Sequence, residues 1–345
     1  LAVALLWLAL RGTNVEEIWA SLRTANWLWL PVLAAILTVS HVLRAWRWTL
    51  LVDGLPERHD ARRARLGETF AALMIGYMVN YVAPRLGEIT RTATLSKRTR
   101  QPFSALLGTV VLERLLDVVV LALGLLTMPL LMGDHLDELR STILNPAIAR
   151  VGELPLGLIL IGGVLALGVL GVSFWIVRRS TRASDSLIAR KVVPLLVSFR
   201  EGIDTLRTAP KRGTLIGLTL AIWVLYGLLG YLPLIMLTTG GGDTLAATYG
   251  LTLIDGWCIM LIGGLGVVVP TPGGIGSYHY ITILALTAIY GVAEQGASTY
   301  AILSHGFQLV LYVLLGAASL LALGRSALVA PPPPHSDGSG GEADG

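Results

Sequence analysis

The long apolar runs of this chain decide what it can fold into. Stretches 27–52, 103–132, 154–177, 213–237, 248–269, 277–291 and 298–323 are built mainly from Leu, Val, Ile, Ala and Gly. Most exceed the ~18–20 residues that a helix needs to cross a ~30 Å hydrocarbon core. Of the 345 residues, 54% are hydrophobic and 14% charged, and the mean hydropathy is +0.70. A soluble domain carries nearly twice that share of charge. The expected fold is an all-α polytopic membrane protein. An eighth run, 1–10, is too short to span and follows no initial Met, which predicts an N-terminally trimmed first helix. Leu10-Arg11-Gly12 lacks the small-x-small site of a cleaved signal peptide.

The loops set the orientation, because Lys and Arg are retained on the cytoplasmic side. Segment 53–68 has four Arg, 85–102 has five Lys or Arg, and 178–212 has nine against three acids. Connections 134–153, 238–247 and 292–297 hold only Arg140 and Arg150. The first three are expected in the cytoplasm, with the C-terminus, and the last three outside.

This assignment creates a conflict at the short run 69–84, whose two flanks are both basic. A segment that starts and ends on one side has not crossed. The reading is a re-entrant hairpin: 69–83 dips in, the chain breaks at Pro84, and roughly 87–100 climbs back. Irregular backbone at that depth is tolerated where it is buried in protein or lines a wet cavity. The plainer alternative is a short tilted helix. "VVVPTPGGIGSYHY", 267–280, repeats the pattern of an apolar run ending on Pro and Gly, here approached from outside. Two broken segments in matching positions of two halves, entered from opposite faces, predict an inverted repeat.

The organisation expected is therefore about eight spanning helices plus a re-entrant hairpin. Residues 1–177 form an N-terminal membrane half, with the re-entrant segment near 69–100. Residues 178–212 form a cytoplasmic amphipathic linker, with Ile188, Val192, Leu195, Leu196, Phe199, Ile203 and Leu206 at helical spacing and an interruption at Pro194. Residues 213–324 form a C-terminal half with a break near 270–277, and 325–345 a Pro- then Gly-rich disordered tail.

Four constellations could carry chemistry. At the first break, a helix starting after Pro84 offers backbone N–H groups to an anion. Arg85 adds a fork for phosphate, Gly87 permits close approach, and Glu88 can cap the new helix. The plainer reading is an interfacial helix end with a snorkelling Arg. Second, Glu113, Arg114 and Asp117 lie in the middle of an apolar run. Each would cost about 2.5–3.5 kcal/mol at the bilayer centre, so they must face protein or water as a site or as a structural ion-pair cluster. Third, His41, Arg44 and Trp48 share a face near Arg47. They read first as an interfacial belt with snorkelling arginines, and alternatively as a basic entrance for a headgroup. Fourth, Pro272, three glycines and Ser277 as N-cap place a helix start within the membrane, with His279 and Asp255 lining one cavity. His305 reads as a packing residue.

Other classes are disfavoured. The chain has no Walker A, His-Glu-x-x-His or Gly-x-Ser-x-Gly pattern. Its single cysteine, Cys258, excludes an intrachain disulfide. No cofactor, metal or nucleic-acid partner is expected.

In their order along the chain, "RAWRW", "NYVAPRLGEITR", "ERLLD" and "PTPGGIG" resemble the lysylphosphatidylglycerol synthase transmembrane-region family, over about residues 40 to 320. The resemblance implies lipid translocation in a bacterial or archaeal cytoplasmic membrane and not synthesis, since no transferase domain is present. Position by position it implicates Asn80, Arg85, Gly87, Glu88 and Arg91 at the first break. It likewise implicates Glu113, Arg114 and Asp117, and at the second break Pro272, Gly273, Gly274 and Gly276. Two departures stand out. The family often has Pro-Gly-Arg where this chain has Ala83-Pro84-Arg85, and often an acid where it has His279, which leaves the coupling ion and the substrate charge open.

The function expected is a flippase or scramblase for an anionic phosphate-bearing lipid or polyprenyl-phosphate carrier, and not an enzyme. Its headgroup would bind Arg85, Arg91, Arg114, Gly87, Asn80, Gly273, Gly274 and Gly276, with Glu88, Glu113, Asp117 and His279 as coupling residues. A membrane-embedded transferase on a lipid phosphate, or a small-solute transporter, are the alternatives. The lipid, the direction, the energy source and the oligomeric state stay open.

Overall fold

The computed structural model describes residues 2–141, 145 and 187–329, apart from positions 12, 60, 134, 135, 209, 210 and 270. The run 154–177 and most of the tail lie outside the described residues. Among the described residues every regular element is a helix. The main ones are α1 (Ala2–Leu10), α2 (Val15–Thr24), α3 (Leu30–Val52), α4 (Leu66–Val82), α5 (Leu86–Thr99) and α6 (Phe103–Leu131). They are followed by α7 (Leu187–Thr208), α8 (Arg212–Met236), α9 (Leu253–Val268), α10 (Ser277–Ala288) and α11 (Glu294–Val329).

Segments Trp27–Asp53, Arg212–Met236 and Glu294–Gly324 are long and apolar enough to cross a membrane. α6 has 29 residues and the length to do so, but carries three charges. Its outer stripe (Val118, Val119, Leu123, Leu126 and Leu130) is exposed, as are Ile216, Leu220 and Val224 on α8. Apolar surface this extensive marks a face built for lipid or a partner, and together with the apolar helices it makes this an integral membrane protein.

The bundle has two distinct ends. At one, the Arg62 N–H donates to Thr99 O at 2.9 Å, Thr208 Oγ1 to Gly54 O at 2.7 Å and Arg58 Nη2 to Glu201 Oε2 at 2.6 Å. At the other, the Asn26 N–H donates to Met236 O at 2.7 Å and the Ala293 N–H to Tyr249 Oη at 3.1 Å. α3 and α8 run between them, 23 and 25 residues long, about 35 Å at 1.5 Å per residue.

Two antiparallel helical hairpins fill the space between these ends. α4 and α5, 17 and 14 residues, are joined by a tight turn at 83–85 with Arg85 in the left-handed region (φ 65°). They start and finish together at the Gly54 end, as the Arg62–Thr99 bond requires. α9 and α10, 16 and 12 residues, are joined by the turn 269–276 and open at the Asn26 end. The tips meet. A Cβ on Gly273 would lie 2.2 Å from the Tyr81 ring, so only glycine admits this contact.

Several expectations need correction. The runs 248–269 and 277–291 shorten to arms below spanning length, because Thr252 and Asp255 form a capping box at the start of α9 and the 269–276 turn trims the other side. Pro194 does not interrupt α7, which is one helix packed on α6; Gly202 and Gly108 bring the two backbones together there. The first five residues of the expected disordered tail, 325–329, continue α11.

Candidate functional site: a buried ion cluster beneath two opposed hairpin tips

α6 places Glu113 and Asp117 one helical turn apart, on the face that meets α3 and α5. Glu113 is fully buried and takes three guanidinium groups. Its Oε1 accepts from Arg44 Nε at 2.8 Å and from Arg47 Nη2 at 3.3 Å, and its Oε2 accepts from Arg91 Nη1 at 2.9 Å. Asp117, 16% exposed at its side chain, accepts from Arg47 Nη2 at 2.7 Å and also pairs with Arg44. Arg44 further donates to Tyr226 Oη at 2.8 Å, and Arg47 to Thr219 Oγ1 at 3.3 Å. The Arg91 guanidinium lies 4.9 Å from the Trp48 ring centroid, a cation–π contact. A partly exposed outer pair, Arg114 Nη2 to Glu88 Oε1 at 3.0 Å, completes the group.

Four arginines (44, 47, 91 and 114) thus surround three carboxylates (88, 113 and 117), a surplus of one positive charge. Arg91 is 2% exposed, and its Nε and Nη2 have no protein partner. The same holds for Arg47 Nε and Glu88 Oε2. In a low-dielectric interior such groups are costly to leave unmet, and the donors on Arg91 and Arg47 are the ones an entering anion would engage.

Glu113 and Asp117 therefore face protein, as their position requires, while Arg114 lies at the edge of the cluster with its side chain 39% exposed. The belt reading of Arg44 and Arg47 does not hold: both are buried and ion-paired. Arg44 sits nine residues before Asp53, ~13 Å along the helix, too deep to be an interfacial side chain. Other residues fall elsewhere. Arg85 is exposed at the hairpin tip. Gly87 is a packing glycine: its N–H donates to Asn80 Oδ1 at 2.8 Å, and a Cβ there would lie 2.1 Å from Gly76 O. Glu88 pairs with Arg114 and does not cap α5, whose N-cap is Arg85.

The second tip is uncharged. Gly273, Gly274 and Gly276 all have positive φ, 57°, 82° and 87°. A Cβ on Gly276 would meet Ala2 O of α1 at 2.5 Å. Ser277 is not the N-cap; its hydroxyl bonds Thr271 Oγ1 at 3.0 Å and Gly274 O at 3.2 Å. His305 Nε2 donates to Gly273 O at 2.9 Å and stacks on Tyr278, and His279 lies edge-on to His305 with centroids 4.9 Å apart. Asp255 does not share this cavity, since it caps the opposite end of α9. From the tip, the rings of Tyr81, Tyr312, Tyr77 and His41 continue towards Arg44, and His41 Nε2 lies 2.8 Å from Tyr312 Oη. Sequence reasoning named the three histidines but had no signal for the tyrosines that lie between the tip and His41.

A family model described as "Lysylphosphatidylglycerol synthase TM region" matches residues 1–316. The chain belongs to that family. Among curated proteins it is similar to the glycosyltransferase AglD of Haloferax volcanii, 25% identical over 325 residues, which take in 86% of this chain and 49% of the relative. The chain thus spans about half the length of that relative. No solved structure matches it.

Proposed function

We propose that this protein translocates an anionic, phosphate-bearing lipid, or a polyprenyl-phosphate carrier, across the cytoplasmic membrane. The observation that carries this reading is the cation surplus of the buried cluster, with unmet donors on Arg91, directly beneath two hairpin tips that meet in the middle of the bundle. In this reading the end carrying Arg58, Arg62 and Arg98 is cytoplasmic. α4–α5 is re-entrant from that side and α9–α10 from the other, which is the arrangement of an inverted repeat. The headgroup enters between the tips and exchanges its phosphate for the carboxylates around Arg91 and Arg114. Glu88, Glu113 and Asp117 are the groups that compete it off again. The acyl chains stay on the lipid-facing surface of α6 and α8.

Flipping of a fluorescent phosphatidylglycerol, against phosphatidylcholine, by proteoliposomes tests this. Arg91→Gln should lower the rate for the anionic lipid by about ten- to a hundredfold, the worth of one charge-assisted contact. Equal rates for both lipids in wild type and variant would refute it. Single cysteines at 63 and 100, in a Cys258→Ala background, should both be labelled from the cytoplasmic side alone. Labelling from opposite sides would end the re-entrant assignment.

The name of the Haloferax relative favours a second reading, in which this membrane half handles the lipid-phosphate substrate of a glycosyl transfer. Transfer of a labelled sugar to lipid by the purified chain, without movement between leaflets, would select it.

A further inference from the structure

At the base of the first hairpin lies a cavity of about 360 Å³ lined by Arg62, Lys97, Arg98 and Arg100. It differs from the buried cluster in its charge balance. In the cluster, carboxylates face almost every guanidinium; here, among the described residues, four cations converge around one acid, Glu68, which holds Arg62 through contacts of 2.6 and 2.9 Å. The walls are fixed by that pair, by the Arg62–Thr99 backbone bond and by a bond from Arg98 to Leu323 O in the last third of α11. Arg100 is set by a left-handed backbone (φ 58°) that terminates α5. Lys97 and Arg100 remain exposed.

The placement is specific. Lys97 and Arg98 follow Arg91 on α5 by six and seven residues, so the cavity sits ~9–11 Å along the helix from the buried cluster. It opens beside the exit of the hairpin and the last third of the long apolar helix α11. Basic pockets between membrane helices at the cytoplasmic side, where the proposed function puts this end of the bundle, receive the phosphates of anionic headgroups. The last turn of α5 accounts for one or two cations through its helix dipole, but not for four converging from two segments of chain.

We propose that this cavity is a docking site for a phosphate monoester or diester group, held between Lys97, Arg98 and Arg100 with Arg62 as its fixed wall, and distinct from the translocation site. The phosphate belongs either to a lipid of the adjoining leaflet or to a soluble phosphate compound. The proposal does not rest on translocation, and its test reads binding alone.

The full chain in detergent is titrated with phosphatidylglycerol, with phosphatidylcholine and with inorganic phosphate, and thermal stability is followed. Phosphatidylglycerol should raise the midpoint and phosphatidylcholine should not. Lys97→Gln/Arg100→Gln, which touches two exposed side chains, should weaken the apparent affinity about thirtyfold, about 1 kcal/mol for each cation lost. A control with the same loss of charge, Arg200→Gln/Lys211→Gln, should bind as wild type does. Competition by millimolar inorganic phosphate assigns the site to phosphate as such, and absence of competition assigns it to lipid; both sustain it. Unchanged affinity in the first variant, an equal loss in the control, or equal shifts with both lipids overturns it.

Discussion

The two hairpins have the same shape and opposite physics. α4–α5 turns Glu88 and Arg91 inward, where they tie it to α6 through ion pairs, and Arg91 also meets Trp48 of α3 in a cation–π contact. α9–α10 has no charge at its tip and is held by glycine close approach, a histidine–carbonyl bond and stacked rings. Gly87 and Gly76 bring the two arms of the first hairpin together, as Gly263 and Gly266 do in the second, where Gly273 and Gly276 further fit the tip against Tyr81 and α1. A hairpin clamped by ion pairs is expensive to open unless another anion replaces the carboxylates. A neutral, glycine-based tip yields without exposing charge. The first hairpin is therefore the one a charged ligand can control.

The largest test of that contrast is Glu113→Leu. It strips three buried arginines of their shared carboxylate, and breaking one side of a buried pair costs about 3–5 kcal/mol. The purified variant should melt far below wild type or fail to accumulate. Asp117→Asn, nearer to water, should lose less. A wild-type melting point for Glu113→Leu would mean that the first hairpin is not held by charge.

Next comes packing in the same hairpin. Gly87→Val drives a side chain into the Gly76 carbonyl and the Asn80 amide, both of them close. Overpacking of this kind costs about 1–3 kcal/mol. Limited proteolysis at 83–85 should be faster in the variant; unchanged cleavage and stability would show that the arms separate at no cost. In the second hairpin, Gly273→Ala carries two penalties that can be told apart. Left-handed backbone costs an L-residue roughly 1–2 kcal/mol, and the methyl group strikes the Tyr81 ring. Tyr81→Ala in the same chain should remove the second and leave the first. Complete rescue would mean that the turn itself bears no strain.

The first hairpin was legible in the sequence as a sub-spanning apolar run that breaks at a Pro, whereas of the second only the Pro-Gly break was legible, its two arms reading as spanning runs. The acids of α6 were legible as well, since charge in the middle of an apolar run has to find a partner. The partners were not. Arg44 and Arg47 occur near tryptophans, as interfacial arginines do, and spacing along one helix does not reveal which face a neighbour covers. The count offered a signal: two acids and one Arg on α6 require cations from elsewhere. Gly87 and Asn80 were named for a ligand and turned out to bind each other, because close approach by a helix and by a phosphate demands the same residue. Asp255 and His279 were grouped through closeness in sequence, although α9 separates them by its full length. The tyrosines between the second tip and His41 come from α4 and α11, and no local pattern pairs residues so far apart.

The smallest expected effect concerns what replaces charge at the second tip. His305 donates to the Gly273 carbonyl while its ring stacks on Tyr278, so bond and stacking can be separated. His305→Phe keeps an aromatic ring of similar size and removes the donor, leaving a partly buried carbonyl unmet at a cost of about 1 kcal/mol. His305→Ala removes both and should lose about 0.5–1.5 kcal/mol more, the worth of an aromatic contact. Amide exchange across residues 271–276 gives the local reading: it should quicken in both variants, while exchange in α4 and α5 stays as in wild type. If α5 also quickens, the two tips open as one unit and the contrast between them fails. If neither region changes, the glycine contacts alone hold the second tip, and the histidine is there only to fill space.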